Sequence, residues 1–224
     1  MKIGSTLQRL RNSIINSAGT IVFGMEDGTV SIFGLIFGVA ATTTSTKTVL
    51  IAGASGAAAA AVSMMAGAYL DAETTRDGTR AILSAAGDSK VPLSNRLVGA
   101  GLTPEQSNAL AAAVQNDRNA VDALLLALGV AKVPLNPLEQ ALWMLLADFF
   151  AAAVPILPFI FLPIGQARII SGVVTVALLI GLGAGRARLG KRNIARTVAE
   201  TVSMGVGAAM AGVTIGMLID HLFP

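Results

Sequence analysis

The sequence predicts an all-α membrane protein with five transmembrane helices and a small cytoplasmic helical segment between the second and the third. Hydrophobic residues make up 54% of the 224 positions and charged ones only 13%, about half the charged share of an ordinary soluble domain. Mean hydropathy is +0.70. Five stretches, approximately 18–42, 48–71, 139–163, 167–186 and 198–220, are each long enough to cross a hydrocarbon core, which takes roughly 20 residues.

Composition also excludes chemistries. With no cysteine, disulfides, thiolate metal sites and cysteine nucleophiles are ruled out. The one histidine, His221, stands three residues from the C-terminus, which removes His-rich metal cages and argues against Ser-His-Asp catalysis. The chain is read as a non-enzyme without a cofactor, and no nucleic-acid partner is expected.

Residues 1–17 form a cytoplasmic leader. Leu7, Leu10, Ile14 and Ile15 fall near one helical face and Arg9 and Arg11 elsewhere, the pattern of a helix lying on a membrane surface. A frayed polar leader is the competing reading. A cleavable signal is not expected, because the apolar run that follows is too long for a signal core.

Residues 18–72 form a transmembrane hairpin turning at Thr42–Lys47. Its first span has to include Glu26 and Asp27, since the apolar run after Gly28 is too short alone. A carboxylate within a span costs roughly 2.5 to 3.5 kcal/mol on insertion scales, and such residues usually line an ion path or face a partner.

Residues 73–138 form the cytoplasmic segment. Thr103-Pro104-Glu105-Gln106 reads as a capping box with proline at the first helical position. Leu110, Ala113 and Val114, then Val121, Leu124, Leu125 and Leu128, supply helical periodicity, and Gly129 reads as a stop. Glu73 and Asp77 share a face with Arg76 and Arg80 interleaved, as on a solvated helix.

Residues 139–224 hold the last three spans. Asn136-Pro137 caps the third, which Pro155, Pro158 and Pro163 are expected to kink or break. Gly24/Gly28, Gly34/Gly38, Gly181/Gly185 and Gly212/Gly216 have the spacing that permits close helix contact. Asp148 in span three and Glu200 in span five are further intramembrane acids: Asp148 is placed facing the same pathway as the first-span pair, and Glu200 pairing with Arg196 one turn earlier.

Orientation follows from basic residues. Lys2, Arg9, Arg11, Arg76, Arg80, Lys90, Arg96, Arg118, Lys132, Arg186, Arg188, Lys191, Arg192 and Arg196 fall on one side, against Lys47 and Arg168 on the other. The N-terminus is therefore expected in the cytoplasm and the C-terminus across the membrane, in a multi-pass protein embedded in lipid.

The short turn fixes the hairpin's register: counting outward from its midpoint sets Asp27 level with Met64 and Glu26 level with Met65, all about 28 Å from the turn at about 1.5 Å per residue. Hard carboxylate oxygen and soft thioether together suit a borderline divalent transition metal better than magnesium or calcium. A carboxylate can hold a proton when the metal is absent, so the two compete, which is the physical basis of exchange. The candidate metal ligands are thus Asp27, Met64, Glu26 and Met65. The competing readings are packing for the methionines, capping of a broken helix for Asp27 and a structural role for Glu26.

Phe23-Gly24-Met25-Glu26-Asp27-Gly28-Thr29-Val30-Ser31, with Phe33-Gly34-Leu35 and Gly38-Val39, resembles the first-span signature of the vacuolar iron transporter family, which includes the yeast-type vacuolar iron and manganese carriers. Ser63-Met64-Met65-Ala66-Gly67-Ala68-Tyr69-Leu70 is similar to its second-span motif; Gly101-Leu102-Thr103-Pro104-Glu105, Asn136-Pro137-Leu138 and Val154-Pro155-Ile156-Leu157-Pro158-Phe159 also match its pattern. The resemblance implies a five-span homodimer that exports ferrous iron, often also manganese, from the cytosol in exchange for protons along a path at the dimer interface. It carries the family's first-span aspartate onto Asp27 and its second-span methionine onto Met64. The chain departs from the pattern in three places. Ala68 stands where the family usually has glutamate, Glu26 where it commonly has a small or amide residue, and residues 78–138 carry only Asp88, Glu105, Asp117 and Asp122 as acids. That depletion motivates the alternative expectation of a non-transporting membrane scaffold or regulatory protein.

Overall fold

In the computed structural model the structure describes residues 2–87, 92–114, 116–131 and 135–223. Asp88, Lys90 and Lys132, counted in the charge patterns above, lie outside them. The described residues are helical without strands: α1 (Lys2–Asn16), α2 (Ala18–Thr42), α3 (Thr46–Gly87), α4 (Leu93–Gly99), α5 (Pro104–Val114), α6 (Arg118–Ala127), α7 (Pro137–Ile156), α8 (Pro158–Phe161), α9 (Ile164–Leu189) and α10 (Ile194–Leu222). Five of them, α2, α3, α7, α9 and α10, are long and apolar enough to span a bilayer.

The chain divides into two units, Met1–Ala68 with Leu138–Pro224, and Tyr69–Pro137. In the first, α2 is the central element. Its Ile32, Ile36 and Ala40 join Val49 and Ala57 of α3, Ala152 and Ile156 of α7, Phe159 of α8 and Ala167 of α9 in one buried apolar cluster. Glycines set how closely its partners come. A methyl group built on Gly34 would fall 2.8 Å from the Ala208 carbonyl oxygen of α10, and one on Gly38 would fall 2.6 Å from that of Gly212. Side chains at these positions would force the two backbones apart. Of the four glycine pairs, Gly34/Gly38 and Gly212/Gly216 thus join α2 to α10, Gly24/Gly28 faces α7, and Gly181 and Gly185 meet nothing within 4 Å.

The third span ends earlier than the sequence pattern suggested. Pro155 lies inside α7, which stops at Ile156, and Pro158 opens the four-residue α8. Proline removes a backbone donor and clashes with the preceding turn, and here Ser171 of α9 repairs part of the damage by donating to the Pro155 carbonyl, 2.7 Å away. Near the α2–α3 turn, Arg168 of α9 donates to the Thr43 carbonyl at 3.2 Å.

In the second unit, the far part of α3 runs on without a break to Gly87, well past the expected end of span two. Thr103 and Gln106 form the reciprocal capping box at the start of α5: the Thr103 backbone N–H donates to Gln106 Oε1 (3.1 Å) and the Gln106 N–H to Thr103 Oγ1 (3.3 Å). Asp117 caps α6 through Asn119 and Ala120. After α6, Gly129 takes φ +70°, a left-handed conformation costly for other residues. Asp77 and Arg80 form an exposed ion pair at 3.8 Å.

Candidate functional site

Within α2, Glu26 and Asp27 turn to different surroundings. Glu26 Oε2 accepts from Arg186 Nη1 of α9 at 3.1 Å, and Glu26 Oε1 accepts from Thr201 Oγ1 of α10 at 2.9 Å. Both oxygens are therefore engaged, and the side chain is 13% exposed. The preceding residue of α10, Glu200, binds Arg196 Nε at 3.1 Å and Arg192 Nη2 at 3.5 Å, so its expected pairing with Arg196 is present. This ladder ties the α9–α10 connection to α2 at the end where α2 begins.

Asp27 is half-buried and accepts no hydrogen bond among the described residues. It lines a cavity of about 620 Å³ together with Glu26, Val30, Arg186, Arg192 and Met204. The cavity is mostly apolar in lining residues, with two carboxylates and two guanidinium groups at its wall. Arg186 is committed to Glu26 and Arg192 to Glu200. Of the two carboxylates on the cavity wall, Asp27 is thus the one without a bonded partner among the described residues.

Met64 and Met65 lie half-buried on α3, and neither is on that cavity wall. Where α2 and α3 touch, Gly56 lies against Leu35 and Ile32, and Gly53 against Ile36. Carried along the two helices in opposite directions, these contacts bring Met64 to the stretch of α2 between Gly24 and Asp27.

Three residues that sequence reasoning did not select as ligands come forward. Met204 joins the cavity from α10. Asp148 of α7 is fully buried, and neither carboxylate oxygen accepts a hydrogen bond from a described residue. Its backbone and side chain fill the space that a Cβ on Gly28, the residue after Asp27, would need. Met144, one turn earlier on α7, puts its sulfur 2.8 Å from where a Cβ on Gly24 would stand. Among the described residues, no three of His, Cys, Asp and Glu gather as a metal-holding group.

A family model described as the VIT family matches residues 18–217, from the start of α2 nearly to the end of α10. The chain belongs to the VIT family. This is the family that its two hairpin motifs resemble. Among curated proteins, this VIT-family chain is 26% identical to "Vacuolar iron transporter 1" of Tulipa gesneriana over 214 residues, covering 90% of this chain and 87% of the relative. It is 24% identical to "Vacuolar iron transporter 1" of Eucalyptus grandis over 203 residues, covering 85% and 82% respectively. Family, five apolar helices and overall composition together make it a multi-pass integral membrane protein.

Proposed function

We propose that this VIT-family protein moves a divalent transition metal, ferrous iron or manganese, out of the cytosol in exchange for protons. Asp27 is the principal ligand and proton carrier, Met64 the soft co-ligand, and Glu26 and Met65 flank them. The observation that carries the reading is the unpartnered Asp27 inside a membrane span, next to a Glu26 whose oxygens are both occupied. A carboxylate held in an apolar span without a bonded partner is stabilised by whatever cation reaches it. A site with few ligands also releases its ion, as conduction requires. The relatives named as vacuolar iron transporters support iron as cargo. In this reading the N-terminus is cytoplasmic and the protein works as a homodimer.

Uptake of ferrous and manganous ions into proteoliposomes under an imposed proton gradient tests this. Asp27→Ala and Met64→Ala should each cut uptake sharply, and collapsing the gradient should abolish it. Unimpaired transport in both variants would overturn the assignment. The alternative, a non-transporting membrane scaffold or regulatory protein, is motivated by the few acids of residues 78–138; silent uptake together with no metal affinity would select it.

A further inference from the structure

Helices α2 and α7 lie side by side and run in the same direction, with a constant offset in numbering. Thr20 is hydrogen-bonded to Gln140, Gly24 faces Met144, and Gly28 faces Asp148. Positions four apart on a helix share a face, so Gln140, Met144 and Asp148 form one stripe along α7. These three side chains are 5%, 5% and 0% exposed. Asp27, three residues after Gly24 and next to Gly28, lies on the flank of the facing stripe of α2, where it also lines the cavity.

We propose that Asp148 and Met144, together with Asp27, form a divalent-cation site inside a single protomer. The proposal rests on the reading of Asp27 as the ion-carrying carboxylate and adds a second helix to its shell. Asp148 is a carboxylate removed from solvent with both oxygens unmatched, an arrangement that is costly unless a cation or donor meets it. The nearby guanidinium groups do not supply that match, since Arg186 is bound to Glu26 and Arg192 to Glu200. Two carboxylates with one thioether on the adjoining turn make a mixed hard and soft donor set. Such a set favours manganese, iron or cadmium over magnesium or calcium. Gly24 and Gly28 bring the α7 backbone close enough for the donors of the two helices to converge, because a Cβ at either position would collide with Met144 or Asp148.

Equilibrium binding to the full-length protein in lipid nanodiscs tests it, with manganese followed by its paramagnetic resonance signal and cadmium by competition. Asp148→Asn and Asp27→Asn should each weaken manganese binding by about tenfold or more. Met144→Leu should weaken cadmium more than manganese. Manganese and cadmium binding unchanged in Asp148→Asn, while Asp27→Asn loses it, would overturn the α7 site and leave the proposed transport standing. No binding by the wild-type protein would overturn both. Should Asp148→Asn fail to fold, Asp148→Cys decides: in a chain without cysteine, a cadmium–thiolate absorption band can arise only from position 148. Its presence supports the site and its absence overturns it.

Discussion

Glu26 and Asp27 are neighbours in sequence with opposite fates, because one helical residue turns a side chain by about 100°. Glu26 meets a guanidinium and a hydroxyl, and Asp27 meets neither. Removing Arg186 would leave Glu26 with Thr201 alone, on a side chain that is mostly buried. Arg186→Met should therefore destabilise the protein by about 1–3 kcal/mol, and Glu26→Gln should cost less, since the amide oxygen keeps one of the two bonds and the guanidinium left without its anion is partly exposed. Melting curves in detergent would show it, and equal midpoints for Arg186→Met and wild type would refute the ion pair's role. The pair was not legible in sequence: the residues are 160 positions apart, and nothing local couples them. The expectation that Asp27 and Met64 stand level had a local source, because a turn of known length sets which positions of two adjoining helices face each other.

At the scale of helices, proline and glycine carried most of what could be read. The three prolines between 155 and 163 mark where α7 ends and α9 begins, as the missing donors require. The capping box formed with Gln106 as its reciprocal partner. Glycine spacing announced close contacts without saying which helices make them, since a stripe of small residues fits any complementary neighbour. The same gap hid Met144 and left Asp148, already singled out as an intramembrane acid, without named neighbours, since both depend on the α2–α7 register. The glycine contacts give an element-level expectation. Gly212→Leu places its Cβ on the Gly34 backbone carbonyl, which cannot rotate away, so α2 and α10 separate at a cost of about 1–3 kcal/mol or more. Gly181→Ala meets nothing within 4 Å and should leave stability within about 0.5 kcal/mol of wild type. Thermal unfolding followed by fluorescence-detected size exclusion would compare them; a tolerated Gly212→Leu would contradict the packing.

For the whole molecule, the basic-residue asymmetry makes a topological statement. The α2–α3 turn and the start of α9 share one end, tied by Arg168 to Thr43, and the α9–α10 connection with its arginines occupies the end where α2 begins. If that second end faces the cytosol, single cysteines should report it: Ser45→Cys should react with an impermeant thiol reagent from the far side only, and Lys191→Cys from the cytosolic side only. Labelling of both from the same side would contradict five crossings.

The α2–α7 seam also governs which mutations can compensate for one another. At Gly24 an added methyl group first meets the end of the Met144 side chain, at 2.8 Å, and only then the Met144 carbonyl oxygen, at 3.2 Å. Shortening that side chain, as in Met144→Ala, should therefore recover much of the stability lost in Gly24→Ala. At Gly28 the obstacle is the Asp148 carbonyl itself, which every amino acid carries. No replacement at position 148 should rescue Gly28→Ala, so the two steps of one seam differ in their epistasis: the first negotiable between side chains, the second closed to any exchange.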